Sequence, residues 1–165
     1  MAALQESISE YKNQLEKGEI QKAYKGILEY LMSLRTHFEK QYPDWTVPGG
    51  LYTGYMDMSY FSIIPPSLKE RKLKIAVVFI HDACRFEVWL AGVNKGVQAE
   101  YWQMIKESGW DLYEPVATTQ GADAIIEHIL ILDPDFDDLD GLTRQIQNGV
   151  QVFSANIDNF FANHN

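Results

Sequence analysis

Residues 73–91 read LKIAVVFIHDACRFEVWLA, and the rhythm changes midway. Leu73 to His81 is a nearly continuous apolar run, which suits a strand covered on both faces. His81-Asp82-Ala83-Cys84 is short enough for a hairpin connection. From Arg85 the pattern alternates, with Phe86, Val88 and Leu90 on one side and Glu87, Trp89 and Ala91 on the other. Two neighbouring antiparallel strands are the expectation.

Upstream, residues 51–64 (LYTGYMDMSYFSII) are rich in aromatic and β-branched types and read as one strand, or as a bent pair with Gly54 at the bend. Pro65-Pro66 stops them, which completes a three-strand antiparallel meander. Residues 43–50, with two prolines and two glycines, form a loop that Trp45 pins to the body. Before it lie two helices. Leu4, Ile8, Tyr11 and Leu15 line one face of the first, which Gly18 ends. Ile20, Ala23, Ile27, Leu31, Leu34 and Phe38 line a second, with a stripe broad enough to lie on a sheet.

Downstream, Asn94 caps a helix whose buried stripe is Val97, Tyr101, Met104 and Ile105, with Gly109 as its stop. Residues 111–117 suggest a short strand. Residues 125–132 (IIEHILIL) fit strand or buried helix, and β-branched content favours strand. From Asp138, Leu139, Leu142, Ile146, Val150, Phe153, Ile157 and Phe160 recur at three or four and set a last helix. The expected architecture is a single α+β domain over 1–165. It has a helical part at 1–42, a sheet-forming part at 51–132 with one inserted helix, and a C-terminal helix at 138–162. The helices pack on a central mixed sheet in two or three layers.

Composition supports this. The chain has 165 residues, of which 46% are hydrophobic and 22% charged, enough for a core and unlike a disordered chain. One cysteine, Cys84, excludes an internal disulfide framework and a multi-cysteine zinc site. No apolar run approaches the roughly 20 residues of a membrane-spanning helix, and the N-terminus lacks the apolar core of a secretory signal. A soluble cytoplasmic protein with no membrane partner is expected.

The net charge of −9 is unevenly spread. Residues 1–110 hold 13 basic and 13 acidic side chains; residues 111–165 hold Arg144 against ten acids. Such a surface disfavours nucleic acid as a partner. Lys69, Arg71, Lys72 and Lys74, joined by Arg85, are the one candidate basic patch, and charges before a strand ordinarily keep a sheet edge soluble.

Most motifs that could carry chemistry fail on inspection. Asp133, Asp135 and Asp137 fit the first ligand positions of a calcium loop, but Asp138 stands where the turn needs glycine and Arg144 where a bidentate glutamate belongs. Aspartates before a helix start cap it more simply. His81 and Cys84 lack an orienting third group for nucleophilic catalysis. His37, His128 and His164 have no metal-ligand spacing, and no phosphate loop, dinucleotide fingerprint or Gly-x-Ser-x-Gly elbow is present. No metal, cofactor or catalytic set is therefore expected, and an enzyme is less favoured than a binding protein.

Asp57 and Glu87 are the subtler pair, because each falls within an expected strand among apolar neighbours. The element order resembles that of the restriction-endonuclease-like fold, whose nucleases hold magnesium with a strand acid and a Glu-x-Lys pair. Here Asp57 belongs to the first strand of the meander instead of the second, and Trp89 takes the lysine position. Lys74 is the substitute on the neighbouring strand. The simpler alternative is that Asp57 and Glu87 pair with Lys74 or Arg85.

The 21 aromatic side chains exceed what a core of this size requires. Tyr52, Tyr55, Tyr60, Trp89, Tyr101, Trp102 and Trp110 each join a flat body to a polar tip, as binding surfaces favour.

Tyr52–Phe61, Lys72–Phe79, Arg85–Gly92 and Pro134–Asp138 together resemble an uncharacterised bacterial family of single-domain cytoplasmic proteins, a domain of unknown function. The resemblance spans the chain and implies localisation and a single domain, but no site. Gly54, Asp57, Phe86, Glu87 and Gly92 are the positions to test first. The favoured expectation is a domain that binds a small molecule or protein through an aromatic and acidic sheet face carrying Tyr55, Asp57, Lys74, Glu87 and Trp89. The alternatives are a divergent or inactive magnesium-dependent nuclease, and a homodimer formed through the two N-terminal helices.

Overall fold

A computed structural model describes residues 3–118 and 121–164. The elements run α1 (Leu4–Lys17), α2 (Glu19–Gln41), β1 (Met58–Ile63), α3 (Pro66–Glu70), β2 (Leu73–Ile80), β3 (Arg85–Gly92), α4 (Lys95–Ser108), β4 (Ile126–Ile131) and α5 (Leu139–Asn163). The strands form one open sheet in the order β1-β2-β3-β4, and every pairing is antiparallel. The chain is α+β as expected, but the sheet is not mixed. The strand order follows the chain, and even the long β3–β4 connection through α4 brings the chain back antiparallel to its neighbour.

Cross-strand register sorts the sheet into two faces. Phe61–Val77–Val88–His128 and Ile63–Ile75–Leu90–Ile126 are rows on one face. Leu34 of α2, Leu68 of α3, Ile105 of α4 and Phe153 of α5 meet this face in the main core. Phe136, just before α5, presses its ring on Tyr30, Phe79 and Phe86. Polar ties join α2 to α5: Tyr30 Oη lies 3.0 Å from Thr143 Oγ1, and His37 Nε2 lies 2.6 Å from Gln147 Oε1.

A second, smaller cluster occupies the opposite face: Ala76, Val78, Trp89 and Ala124, with Met58, Tyr60 and Ile80 against them. No helix residue belongs to it. Among the described residues the molecule therefore has two layers, with one sheet face left without a helix.

Local chemistry explains the boundaries. Gly18, at φ 78°, ends α1 and begins α2. Asn94 Oδ1 accepts the Val97 N–H and starts α4; Asp138 accepts the Gly141 N–H and starts α5. Of the aspartates before α5, Asp138 acts as the cap, while Asp135 accepts from the Asp137 N–H in the turn that precedes it. Trp45 stacks on Tyr42 at 4.2 Å and fastens the 43–50 loop.

Several expectations need correction. Residues 111–117 form no strand; they contribute one bridge, Pro115 to Ile126, because Pro115 lacks the N–H a ladder needs. The short α3 was not anticipated, although Pro66 at its first turn is a favoured starter. In 51–64 the strand proper begins at Met58, and Tyr52 folds back to bridge Tyr60. Gly54 makes that turn at φ 69°, where a Cβ would overlap the Met58 carbonyl oxygen. Asp57 accordingly sits in the turn before β1, not inside the strand. Thr46 bridges Ile64 at the other end of the β1 edge.

Candidate functional site

The helix-free face is built of rows that continue across the strands. Tyr60, Val78, Glu87 and Ile129 align in one row; Ser62, Ala76, Trp89 and Glu127 align in the next. Lys74 stands opposite Ala91 beyond them. Alanines at 76 and 91 keep the floor low between the larger side chains. A groove of about 200 Å³ results, bounded by Tyr52, Tyr60, Lys74, Trp89 and Asp123. Its end wall is backbone. Gly92 approaches α4 so closely that a Cβ there would lie 2.6 Å from the Gln98 nitrogen. Gln98 is itself buried and bonds both the Gly92 N–H and the Ala122 carbonyl, fixing the chain next to Asp123.

The aromatic walls are held in place. Tyr52 stacks on Tyr60 at 5.0 Å, because the Tyr52–Tyr60 bridge aligns their backbones. Trp89 donates its indole N–H to Glu87 Oε1 at 2.8 Å, while Glu87 Oε2 accepts from Arg85 Nε at 2.7 Å. Glu87 is 4% exposed, a buried charge that survives because both carboxylate oxygens have partners.

Charge is concentrated around the groove. Burial raises the Glu127 carboxyl above its ordinary range, and the neighbouring Glu87 and Asp123 charges push it further; Arg85 offsets part of this. Burial also raises the Tyr60 phenol, with Tyr52 and Asp123 adding to the shift. Asp123 therefore acts electrostatically on both. Lys74 and Asp123 line the same groove, and no ion pair of 4.0 Å or shorter joins them among the described residues.

Of the five residues singled out from sequence, Lys74, Glu87 and Trp89 share this face, with Lys74 and Trp89 lining the groove and Glu87 bracing Trp89. Tyr55 and Asp57 lie elsewhere. Tyr55 is 94% exposed, and its N–H donates to Asp57 Oδ1 at 2.9 Å. Backbone N–H groups of Tyr55 and Met58 hold the Asp57 carboxyl below its usual value. Glu87 takes Arg85 as its ionic partner, as the simpler alternative had it. Among the described residues no three His, Cys, Asp or Glu side chains converge in a way that could hold a metal ion.

One triplet built on the buried Ser59 has no signal in the sequence. Ser59 Oγ lies 2.8 Å from His81 Nε2 and 2.6 Å from the Thr53 carbonyl, and the Asp57 charge acts on His81. The residue types are those of a hydrolase triad, but the chemistry is not. The Ser59 proton is committed to the Thr53 carbonyl, so His81 Nε2 must be the donor, and a 0% exposed hydroxyl is closed to substrate. The triplet fastens the 53–59 turn to the end of β2. Cys84 is exposed in the β2–β3 connection at φ 50°.

Asp123, Tyr60 and the folded-back Tyr52 bound the groove without having been among the five residues singled out from sequence. Asp123 carried no signal beyond its charge, whereas Tyr52 was visible as one of the surplus aromatics.

Fold and groove define a two-layer α+β domain whose open antiparallel sheet carries helices on one face and a small aromatic, charged groove on the other. The family described as a domain of unknown function (DUF7000) matches residues 4–161, and the chain belongs to that family. No curated protein and no solved structure matches it.

Proposed function

We propose that this protein binds a small zwitterion of amino-acid or betaine size in the groove of the helix-free sheet face. The observation that carries the reading is the presence of Lys74 and Asp123 in one cavity without an ion pair between them. A ligand carboxylate would meet the Lys74 ammonium. A ligand cation would meet Asp123 and the faces of Tyr52, Tyr60 and Trp89, to which cations are drawn by the ring quadrupole. The groove of about 200 Å³ is smaller than drug-sized sites of roughly 300–1,000 Å³, which limits the ligand to a compact molecule. Glu87 is a positioning residue here, since it orients Trp89 and stays behind the wall.

The proposal sets the protein in a bacterial cytoplasm. Four segments resemble bacterial proteins, and an exposed lone cysteine suits a reducing compartment. No helix among the described residues is long and apolar enough to cross a membrane.

Titration of the full chain with the free amino acids and with glycine betaine, followed by calorimetry and thermal shift, tests the reading. At least one probe should bind, and Lys74→Met and Asp123→Asn should each weaken it tenfold or more while the ligand-free melting midpoint stays within a few degrees. A wild-type protein that binds no member of the panel overturns the proposal. So does a bound member whose affinity ignores both substitutions.

A further inference from the structure

The groove of the helix-free face discriminates between kinds of cation, because most of the hydrogen-bonding groups around it already have partners. Tyr52 and Tyr60 bond each other's backbone, N–H to carbonyl, in both directions at 2.9 Å. The Gly92 N–H goes to Gln98. The β2 backbone lies within its ladders to β1 and β3. Trp89 gives its indole N–H to Glu87, whose second carboxylate oxygen holds Arg85. Asp123 is the one carboxylate that lines the groove, and the other side-chain oxygens there are the phenols of Tyr52 and Tyr60. The rest of the lining is apolar, chiefly Met58, Ala76 and Ala91.

We infer that the cationic end of the ligand is an N-methylated, quaternary ammonium, lodged over the Ala76 methyl between Tyr60 and Trp89, with the ligand carboxylate at Lys74. This rests on the zwitterion reading of the groove and narrows it to one ligand class. Donor count is the first argument. A primary ammonium brings three N–H donors and a guanidinium five, and each costs free energy if it leaves water without an acceptor. A quaternary ammonium has none, so Asp123 serves it as a counter-charge with no hydrogen bond to complete.

Shape is the second argument. Ala76 pairs directly with Trp89 of β3, and Tyr60 of β1 stands one alternation further along, so two aromatic residues flank one small one. Tyr52 stacks on Tyr60 and extends that wall. A group that enters a space of about 200 Å³ touches the rings that bound it, and aromatic faces attract quaternary ammonium ions. The methyl groups meet alanine methyls and the Met58 thioether, contacts that an ammonium still carrying its water shell would not make. Lys74 lies two residues from Ala76 on the same strand and face, roughly 6.6 Å along it, which suits a short carbon link between the ligand's two charges.

Calorimetry of the full chain with glycine, sarcosine, dimethylglycine and glycine betaine tests this, since the carboxylate is constant and only the methyl count changes. Each methyl should tighten binding about threefold, the order expected for one buried carbon. The uncharged carbon isostere 3,3-dimethylbutanoate should bind about tenfold more weakly than glycine betaine, because it lacks the attraction to the rings. Tyr60→Leu should weaken glycine betaine about tenfold and glycine far less, and Tyr60→Phe, which restores a ring, should recover most of the loss. The ligand series on the wild type decides the matter whether or not Tyr60→Leu folds. A primary amino acid that binds as tightly as glycine betaine, with dependence on Lys74 and Asp123, overturns this inference and leaves the zwitterion reading standing. An isostere equal to glycine betaine overturns it too, and a protein that binds no probe overturns both.

Discussion

Glu87 and Trp89 stand two residues apart on β3 and share a hydrogen bond that neither could replace with water, since they are 4% and 6% exposed. Glu87→Ala should therefore lower stability in urea unfolding by about 2 kcal/mol, the scale for a hydrogen bond to a charged group. The loss is smaller than for a fully buried ion pair, because the Arg85 side chain is 32% exposed and regains water. Glu87→Gln keeps an acceptor for the indole and should cost about half as much. Equal losses would show that the indole bond contributes nothing. The orientation of this pair was legible in the sequence, since strict alternation over 85–91 sends Glu87 and Trp89 to one side. The position of Asp57 was not, because a turn made by Gly54 is hidden inside a segment of strand-like composition. Asp123 has no local pattern, and only the tertiary path from α4 to β4 brings it to the groove.

At the level of elements, helices were easiest to read where both a cap and a stripe were present. α5 has Asp138 as its cap and buries Leu142, Ile146, Val150, Phe153 and Ile157. Asp138→Ala should destabilise the protein by about 1 kcal/mol, with little change in the denaturant slope, as for loss of an N-cap. A cost near zero would mean that Asp140 or water takes over the free N–H groups. β4 is ambiguous in the sequence because the apolar-rich run 125–132 fits either state, and it is the β3 ladder that makes it a strand. The strand expected at 111–117 failed for the opposite reason: its composition was suitable, but Pro115 permits a bridge and no more. The element order suggests a mixed sheet, yet every pairing is antiparallel. The helix inserted between β3 and β4 instead returns the chain antiparallel to its neighbour.

The behaviour of the whole molecule with pH follows from side chains on both layers. Burial holds His81 and His128 below the ordinary imidazole value; Asp57 opposes the shift at His81, and Glu87 opposes it at His128. The unfolded chain therefore takes up protons first as pH falls through about 6.5. Their contribution to stability is intact above that value and declines below it. Glu127 has the opposite sign: its folded form keeps a proton that the unfolded chain releases above the ordinary carboxyl range, so its cost appears as pH rises. The melting midpoint should fall between pH 7.5 and pH 5.5. Glu127→Gln should raise the midpoint at pH 7 and leave it unchanged at pH 4; a rise of equal size at both would point to packing and not to charge.

The two outer strands of the sheet are not guarded alike. Among the described residues β1 is crossed at both ends by the Thr46 and Tyr52 bridges, whereas β4 is met only near its start, by Pro115. Beyond that point Glu127 is the one charged side chain within the strand, followed by a run of His128, Ile129, Leu130 and Ile131. Accretion of further chains by strand addition, the first step toward a fibril, is thereby directed to this margin. Mild acid, which discharges Glu127, removes its gatekeeper.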